Sequence, residues 1–379
     1  MKSRFISHLG RVEGPSRIEI RNCYAIRSTY IESSESFQTD GSNHNTSLLL
    51  STTTNRDTMA DDSDDGEHQE GLLIYTPDEI LKIGLRFVGY KKRRIRRAKE
   101  KTNIERFRGH FGSDPHIYAR IWEDLQTTDV EEARVGPQDF VRDEIKNVRY
   151  FLMAMHHLKR YPTELEREAM FDISAVTGRH WVWFYVEKVQ ALKAVKITWP
   201  DDNFGDDIWV LTVDGTHCWI QEPQHPTWSQ DSKYYSHKYA KAGINYELAI
   251  SISENRLVWM NGGFLAGQND KNIFVNKGLK AKLMATGKKG IGDGGYHGHP
   301  NELSTPNSHD SKEVKTFKGR ALKRQEKFNG KTKNFDSLSG RFRHSVDRFK
   351  NCFEAVCVIC QYQIENGSPL YDVLIEHMA

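Results

Sequence analysis

The chain has 379 residues, 37% of them hydrophobic and 28% charged, which supplies a sizeable core for two or three domains beneath a strongly polar surface. A net charge of +3 excludes any inference of nucleic-acid binding from overall charge, so such an inference has to rest on where the cations cluster. Five cysteines (Cys23, Cys218, Cys352, Cys357, Cys360) make no disulfide framework in so long a chain, and with no leader-like apolar segment and no run approaching about 18 apolar residues, a soluble intracellular protein without membrane spans is expected.

Residues 1–75 are expected to be mostly disordered. From about 32 to 70 the sequence is rich in Ser, Thr, Asn and Asp, too polar to offset the entropy of an ordered chain. Within it, Met59-Ala60-Asp61-Asp62 has the look of a natural start, so residues 1–58 are read as a candidate upstream extension. The next region, 76–200, reads as helical and basic. Its cations concentrate at Lys91, Lys92, Arg93, Arg94, Arg96, Arg97, Lys99 and Lys101. A solvated helix face or a nuclear-localisation signal accounts for such a cluster, and so does phosphate contact.

Val141, Ile145, Val148, Leu152 and Met155 recur at helical spacing and predict an amphipathic helix to about Arg160, stopped before Pro162. Thr163 with Glu166 three residues on forms a capping-box pattern for a short helix to Ile173. A further helix follows from about Thr177, with Trp181, Phe184, Tyr185, Val189 and Leu192 on one face. Two helices joined by SAVTG suggest a candidate helix-turn-helix that would present Arg179, His180 and Lys188 to DNA, although short helix pairs are also ordinary packing units.

Beyond Pro200 the pattern turns to strands, opening a third region, 201–379. IWVLTVDGTHCWI (208–220), AGINYELAISI (242–252) and RLVWMNGG (256–263) predict an antiparallel meander. A helix over 270–286 and a fourth strand, KGIGDGGY (289–296), come next, and the last eighty residues read as helical again.

Three acidic residues hold suggestive places. Asp214 lies inside the first strand, where aspartate lacks strand propensity and a buried carboxylate is costly unless it meets a cleft or a cation; the plainer reading is a strand-end turn. Asp270 follows the third strand, where it or Asn269 would also serve as a helix cap. Glu326 shares a helical face with Asn329, Gly330 and Lys333, apart from a stripe of Phe328, Phe335, Leu338 and Phe342; taken alone it is a solvated glutamate. Together the three form the ligand set that two-metal phosphodiester chemistry requires, with hard oxygen donors suited to Mg²⁺ or Mn²⁺.

VDGTHCWIQEP, AGQNDKNIF, GDGGYHG and RQEKFNG…LSGRFRH, in this order, resemble the blocks of PIF/Harbinger-type transposases of the DDE endonuclease superfamily. The resemblance covers roughly 205–370, including the ending FEAVCVICQYQIENGSPLYDV. It implies a mixed α/β, ribonuclease-H-like sheet flanked by helices, and a nucleus-located enzyme that cuts and joins DNA at transposon ends. By the same resemblance Asp214, Asp270 and Glu326 are the catalytic carboxylates holding two divalent ions, with Asp293, in another matching block, as fallback third carboxylate. The family usually has His-Asp-Ser where this chain has Asn269-Asp270-Lys271, so a domesticated, catalytically impaired DNA- or protein-binding derivative is the alternative, and a nuclease outside transposition a second one. A Myb-like DNA-binding partner and an oligomer are further implications. Arg320, Arg324 and Lys327 lie near Glu326 in sequence and are expected to neutralise phosphate charge.

Other patterns carry less. The glycines after Lys288 lack the P-loop spacing. His297 and His299 with Cys357 and Cys360 suggest zinc only weakly, because the cysteines fall in an apolar helix. Trp219 and Trp228 flank QEPQHP and are read as packing residues, with stacking on an exposed base as the alternative.

Overall fold

The computed structural model describes residues 74–127, 147–202, 204–222 and 232–373. The expected disorder of the N-terminal segment, the Met59 start, Cys23, Val141, Ile145 and Trp228 lie outside them.

The chain enters on helix α1 (Pro77–Phe87), fixed by a capping box between Thr76 and Glu79 with proline at its start, which satisfies amide groups that the first turn leaves unpaired. Helices α2 (Lys92–Arg97), α3 (Glu100–Phe111) and α4 (Pro115–Thr127) follow. Helix α5 (Val148–Arg160) is amphipathic and ends before Pro162 as the spacing predicts, but it is buried from Phe151 to Leu158, because helices from both earlier and later parts of the chain pack around it.

Thr163 and Glu166 form the predicted capping box of α6 (Glu164–Phe171). Helix α7 (Ala175–Ala191) begins at Ser174, whose side chain accepts from the Thr177 amide. The connection is therefore Asp172–Ser174, with Asp172 left-handed at φ 53°, and SAVTG is the cap and first turn of α7 instead of a linker. The buried side of α7 is Val182, Tyr185, Val186 and Val189, while Trp181 and Phe184 are only half-buried. A short helix, α8 (Lys193–Lys196), closes the region.

The sheet comprises β1 (Trp209–Trp219), β2 (Tyr235–Ser236), β3 (Lys241–Ser251), β4 (Leu257–Leu265), β5 (Lys289–Ile291) and β6 (Leu303–Ser304). Strands β1, β3 and β4 are the predicted antiparallel meander. The predicted fourth strand shrinks to β5, which pairs parallel to β1, and GDGGY turns away in a 3₁₀ turn. The sheet then runs β4-β3-β1-β5-β6, with β2 paired to the first residues of β3. The helix predicted over 270–286 is two, α9 (Asp270–Asn276) and α10 (Leu279–Thr286), broken where Gly278 takes φ 111°, a conformation glycine adopts without strain.

Helix α11 (Lys312–Lys333) is followed by α12 (Asp336–Ser339) and α13 (Val346–Asn366). Phe328, Phe335, Leu338 and Phe342 are all buried, but α11 ends at Lys333, so they are not one helical stripe. Helices α9 and α10 cover one face of the sheet, where Leu211, Val213, Ala249, Phe274 and Leu283 pack. Helices α11 and α13 cover the other. There Tyr246 stacks on Phe353 with centroids 3.7 Å apart, and Gln361 accepts from the Leu257 amide at 2.7 Å. The result is a mixed, helix-flanked, ribonuclease-H-like sheet. One core runs from Ile80 in α1 through α13 to Leu370. Among the described residues no helix is long and apolar enough to cross a membrane.

Candidate active site

Strand alternation sends Leu211 and Val213 to one face and Thr212, Asp214 and Cys218 to the other. On that second face α11 lies along β1. Thr212 Oγ1 donates to Gln325 Oε1 at 2.8 Å, Asn329 Nδ2 to Asp214 Oδ2 at 2.8 Å, and Lys333 Nζ to Cys218 Sγ at 2.9 Å. Two strand residues advance roughly 6.6 Å and four helical residues roughly 6 Å, so 212 and 214 come level with 325 and 329. The helical face of Glu326, Asn329 and Lys333 thus meets Asp214. Glu326 is exposed and lines, with Asp214, a cleft of about 590 Å³.

Asp270 opens α9, and Asn269 takes the capping role, its side chain accepting from the Asn272 amide at 2.8 Å. That leaves the Asp270 carboxylate for other work. It lies against the backbone of Gly215, so close that a Cβ at 215 would fall 2.1 Å from Asp270 Oδ1. Glycine after Asp214 is what admits the second acid. Asp293 arrives from the other side. Thr212 pairs with Ile291 in the parallel β1–β5 ladder, and two residues further on the chain reaches Asp293, whose side chain accepts from the Gly295 amide at 2.8 Å.

The electrostatics follow from this packing. Burial pushes the Asp214 carboxyl up to about 7, and Asp270 and Asp293 add to the rise against a hydrogen bond from the Gly215 amide and the charge of Lys238. Asp270 is also raised, chiefly by burial, with Lys238 opposing and Asp293 adding. Glu247 is a further acid that the sequence reading missed. It is buried opposite Gly215 on β3 and is pushed up to about 7 by burial, opposed by a hydrogen bond from Trp259 Nε1 and reinforced by Asp270. Its signal was available, since a glutamate inside AGINYELAISI is as anomalous as Asp214 inside its own strand.

Oxygen donors crowded together with too little positive charge suit a hard cation. Among the described residues, no three His, Cys, Asp or Glu side chains form a ready-made metal group. The zinc set does not come together: His297 bonds Thr305 and His299 bonds Lys280, whereas Cys352, Cys357 and Cys360 are buried free thiols inside α13.

The cations expected to face DNA divide. Lys91, Lys92, Arg93, Arg94, Arg96 and Arg97 surround α2 exposed, with only Ile95 turned inward. Arg179 is held by Glu164 through two bonds of 2.7 Å, and the Lys188 ammonium sits 5.6 Å from the Phe184 ring centroid. Arg320 donates to the Asp372 carbonyl at 2.9 Å, and Lys327 lies 5.6 Å from the Tyr371 ring centroid. Arg324 leaves the set: it is 2% exposed and its guanidinium is spent on the carbonyls of Ser251, Glu254 and Tyr371, so it has no free donor face for a phosphate.

No curated protein and no solved structure matches the chain. Residues 213–361, the part of the chain that builds the sheet and carries Asp214, Asp270, Asp293 and Glu326, match the family model described as DDE superfamily endonuclease.

Proposed function

We propose that the chain is a metal-dependent DNA endonuclease of the Harbinger transposase type. The observation that carries the reading is the packing of the Asp270 carboxylate against Gly215, the residue after Asp214, with Asp270 and Asp293 close enough to raise the Asp214 carboxyl and Glu326 on the same cleft as Asp214. Asp214, Asp270 and Glu326 would hold the ions, with Asp293, which follows β5 beside β1, as the fallback third carboxylate. When bound, two Mg²⁺ or Mn²⁺ ions supply activation of the attacking water or 3′-hydroxyl and stabilisation of the leaving oxygen.

The chain's own residues prepare the site. Asn329 orients Asp214 through Oδ2, and Lys238 offsets part of the negative charge on Asp214 and Asp270. The cations around α2, with Arg179, Lys188 and Arg320, would contact the flanking DNA backbone. A nuclear location, a Myb-like partner and an oligomer belong to the same reading by family resemblance.

The test is nicking of labelled DNA in Mn²⁺ by the wild-type protein and by Asp214→Ala. Nicking by the wild type alone is expected. Equal nicking by both removes Asp214 from the mechanism, and nicking by neither favours the catalytically impaired alternative.

A further inference from the structure

The cleft beside Asp214 has a wall of rings. Tyr239 lies in the turn between β2 and β3, 46% exposed. One face of its ring stacks on His217, with centroids 4.5 Å apart and planes 17° from parallel. His217 is itself fixed from behind. Asn245 Nδ2 donates to the Gln268 carbonyl at 3.1 Å, which turns Asn245 Oδ1 toward His217 Nδ1, 3.0 Å away. The next residue, Ala240, takes φ 51°, a left-handed conformation that L side chains rarely adopt. Strain of this kind persists where surrounding contacts over-determine it, and it concentrates at ligand sites.

Trp219 lines the same cleft. The Lys241 ammonium is 4.3 Å and the Arg341 guanidinium 5.8 Å from its ring centroid, and both cations are otherwise exposed. Lys238 joins this wall to the acids: its ammonium lies 5.3 Å from the Tyr239 centroid and interacts with Asp270 and Asp293. An exposed ring with one face already backed, flanked by cations and opening onto phosphodiester-cleaving carboxylates, is the combination that binds single-stranded nucleic acid. A base inside a duplex offers no free face, because its neighbours cover both. The volume of about 590 Å³ falls within the range of clefts that enclose a ligand of nucleotide size.

Resting on the endonuclease reading above, we infer that this cleft receives an unpaired nucleobase next to the scissile phosphate, stacked against the exposed part of the Tyr239 ring, with Lys241 and Arg341 on the adjoining phosphates. Trp219 then acts as the anchor that holds those two cations in place. The site is sequence-tolerant, since every base has a face to stack, and it selects for distorted or unpaired DNA at the cut.

The experiment measures binding of the full-length chain by fluorescence anisotropy in EDTA, where no cleavage enters. Two duplexes are compared, one with a single bulged nucleotide and one with an abasic residue at the same bulge. The base-bearing duplex binds roughly tenfold tighter. Tyr239→Ala abolishes that preference, and Tyr239→Phe, which keeps the ring and removes the hydroxyl, retains it. Equal binding of the two duplexes, absence of binding to either, or a preference that survives Tyr239→Ala overturns the inference. A protein that keeps the base preference but fails to nick in Mn²⁺ sinks the endonuclease reading alone, whereas one that nicks without the preference sinks only the stacking site.

Discussion

Asp214→Asn isolates the electrostatic load that the site carries without a cation. Asparagine keeps the size of the side chain and an acceptor for Asn329, but removes the charge. The Asp214 carboxyl rises from 3.8 to about 7 on folding, so the folded state binds a proton more tightly than the unfolded one. Its contribution to stability is therefore fully present below pH 4 and is lost as the pH climbs to about 7, after which the loss is constant. A rise of about three pH units sets a ceiling of about 4 kcal/mol. Side-chain relaxation and water entry reduce this, and roughly 1–3 kcal/mol is expected. In urea unfolding with EDTA, Asp214→Asn should match the wild type at pH 4 and exceed it by that margin at pH 8. Adding Mn²⁺ at pH 8 should reverse the order by stabilising the wild type selectively. A variant less stable than the wild type at pH 8 in EDTA, or a difference that does not change between pH 4 and 8, would refute the reasoning.

Gly215→Ala should lower Mn²⁺-dependent nicking on the order of 100-fold by forcing the Asp270 carboxylate off the backbone; activity within a few-fold of wild type would show that Asp270 is free to move or takes no part. Arg324→Ala leaves the buried carbonyl of Ser251 and the partly buried carbonyls of Glu254 and Tyr371 without their donor and should cost about 2–4 kcal/mol by chemical denaturation. The same variant should leave the salt dependence of DNA binding unchanged, and a reduced slope would restore Arg324 to the phosphate contacts. Thr163→Ala breaks the α6 capping box and should cost about 1 kcal/mol, measured as a lowered urea midpoint.

Features with a local cause were legible in the sequence. The capping box at Thr163 and the three long strands rest on residues close in the chain, and an aspartate amid β-branched neighbours marks Asp214 without any knowledge of the fold. Features whose cause is distant were not. Strand β5 is three residues of Lys-Gly-Ile, too short for a period, and exists because β1 offers it an edge. The aromatic spacing after Glu326 imitates a helix although the chain breaks at Asn334, since Phe335, Leu338 and Phe342 enter the core from separate segments. Gly215 looks like a turn residue until Asp270 is placed against it. Tyr239 belongs to no motif, and only its stacking on His217 gives it a role. Arg324 shows the converse error: nearness in sequence to Glu326 suggested a shared task, but neighbours on a helix can face opposite ways.

Helix α13 touches α4, α7 and α8 as well as α11 and β4. A helix that serves as common wall to the basic helical region and to the sheet ties the two together. On the reading proposed above, the distance from a phosphate held at α2 to the carboxylates at Asp214 would then be a built-in ruler, and the chain would choose its cut by counting from where it grips. Changing that count calls for altering α13 itself, since lengthening a connecting loop would leave the two ends of the ruler where they are.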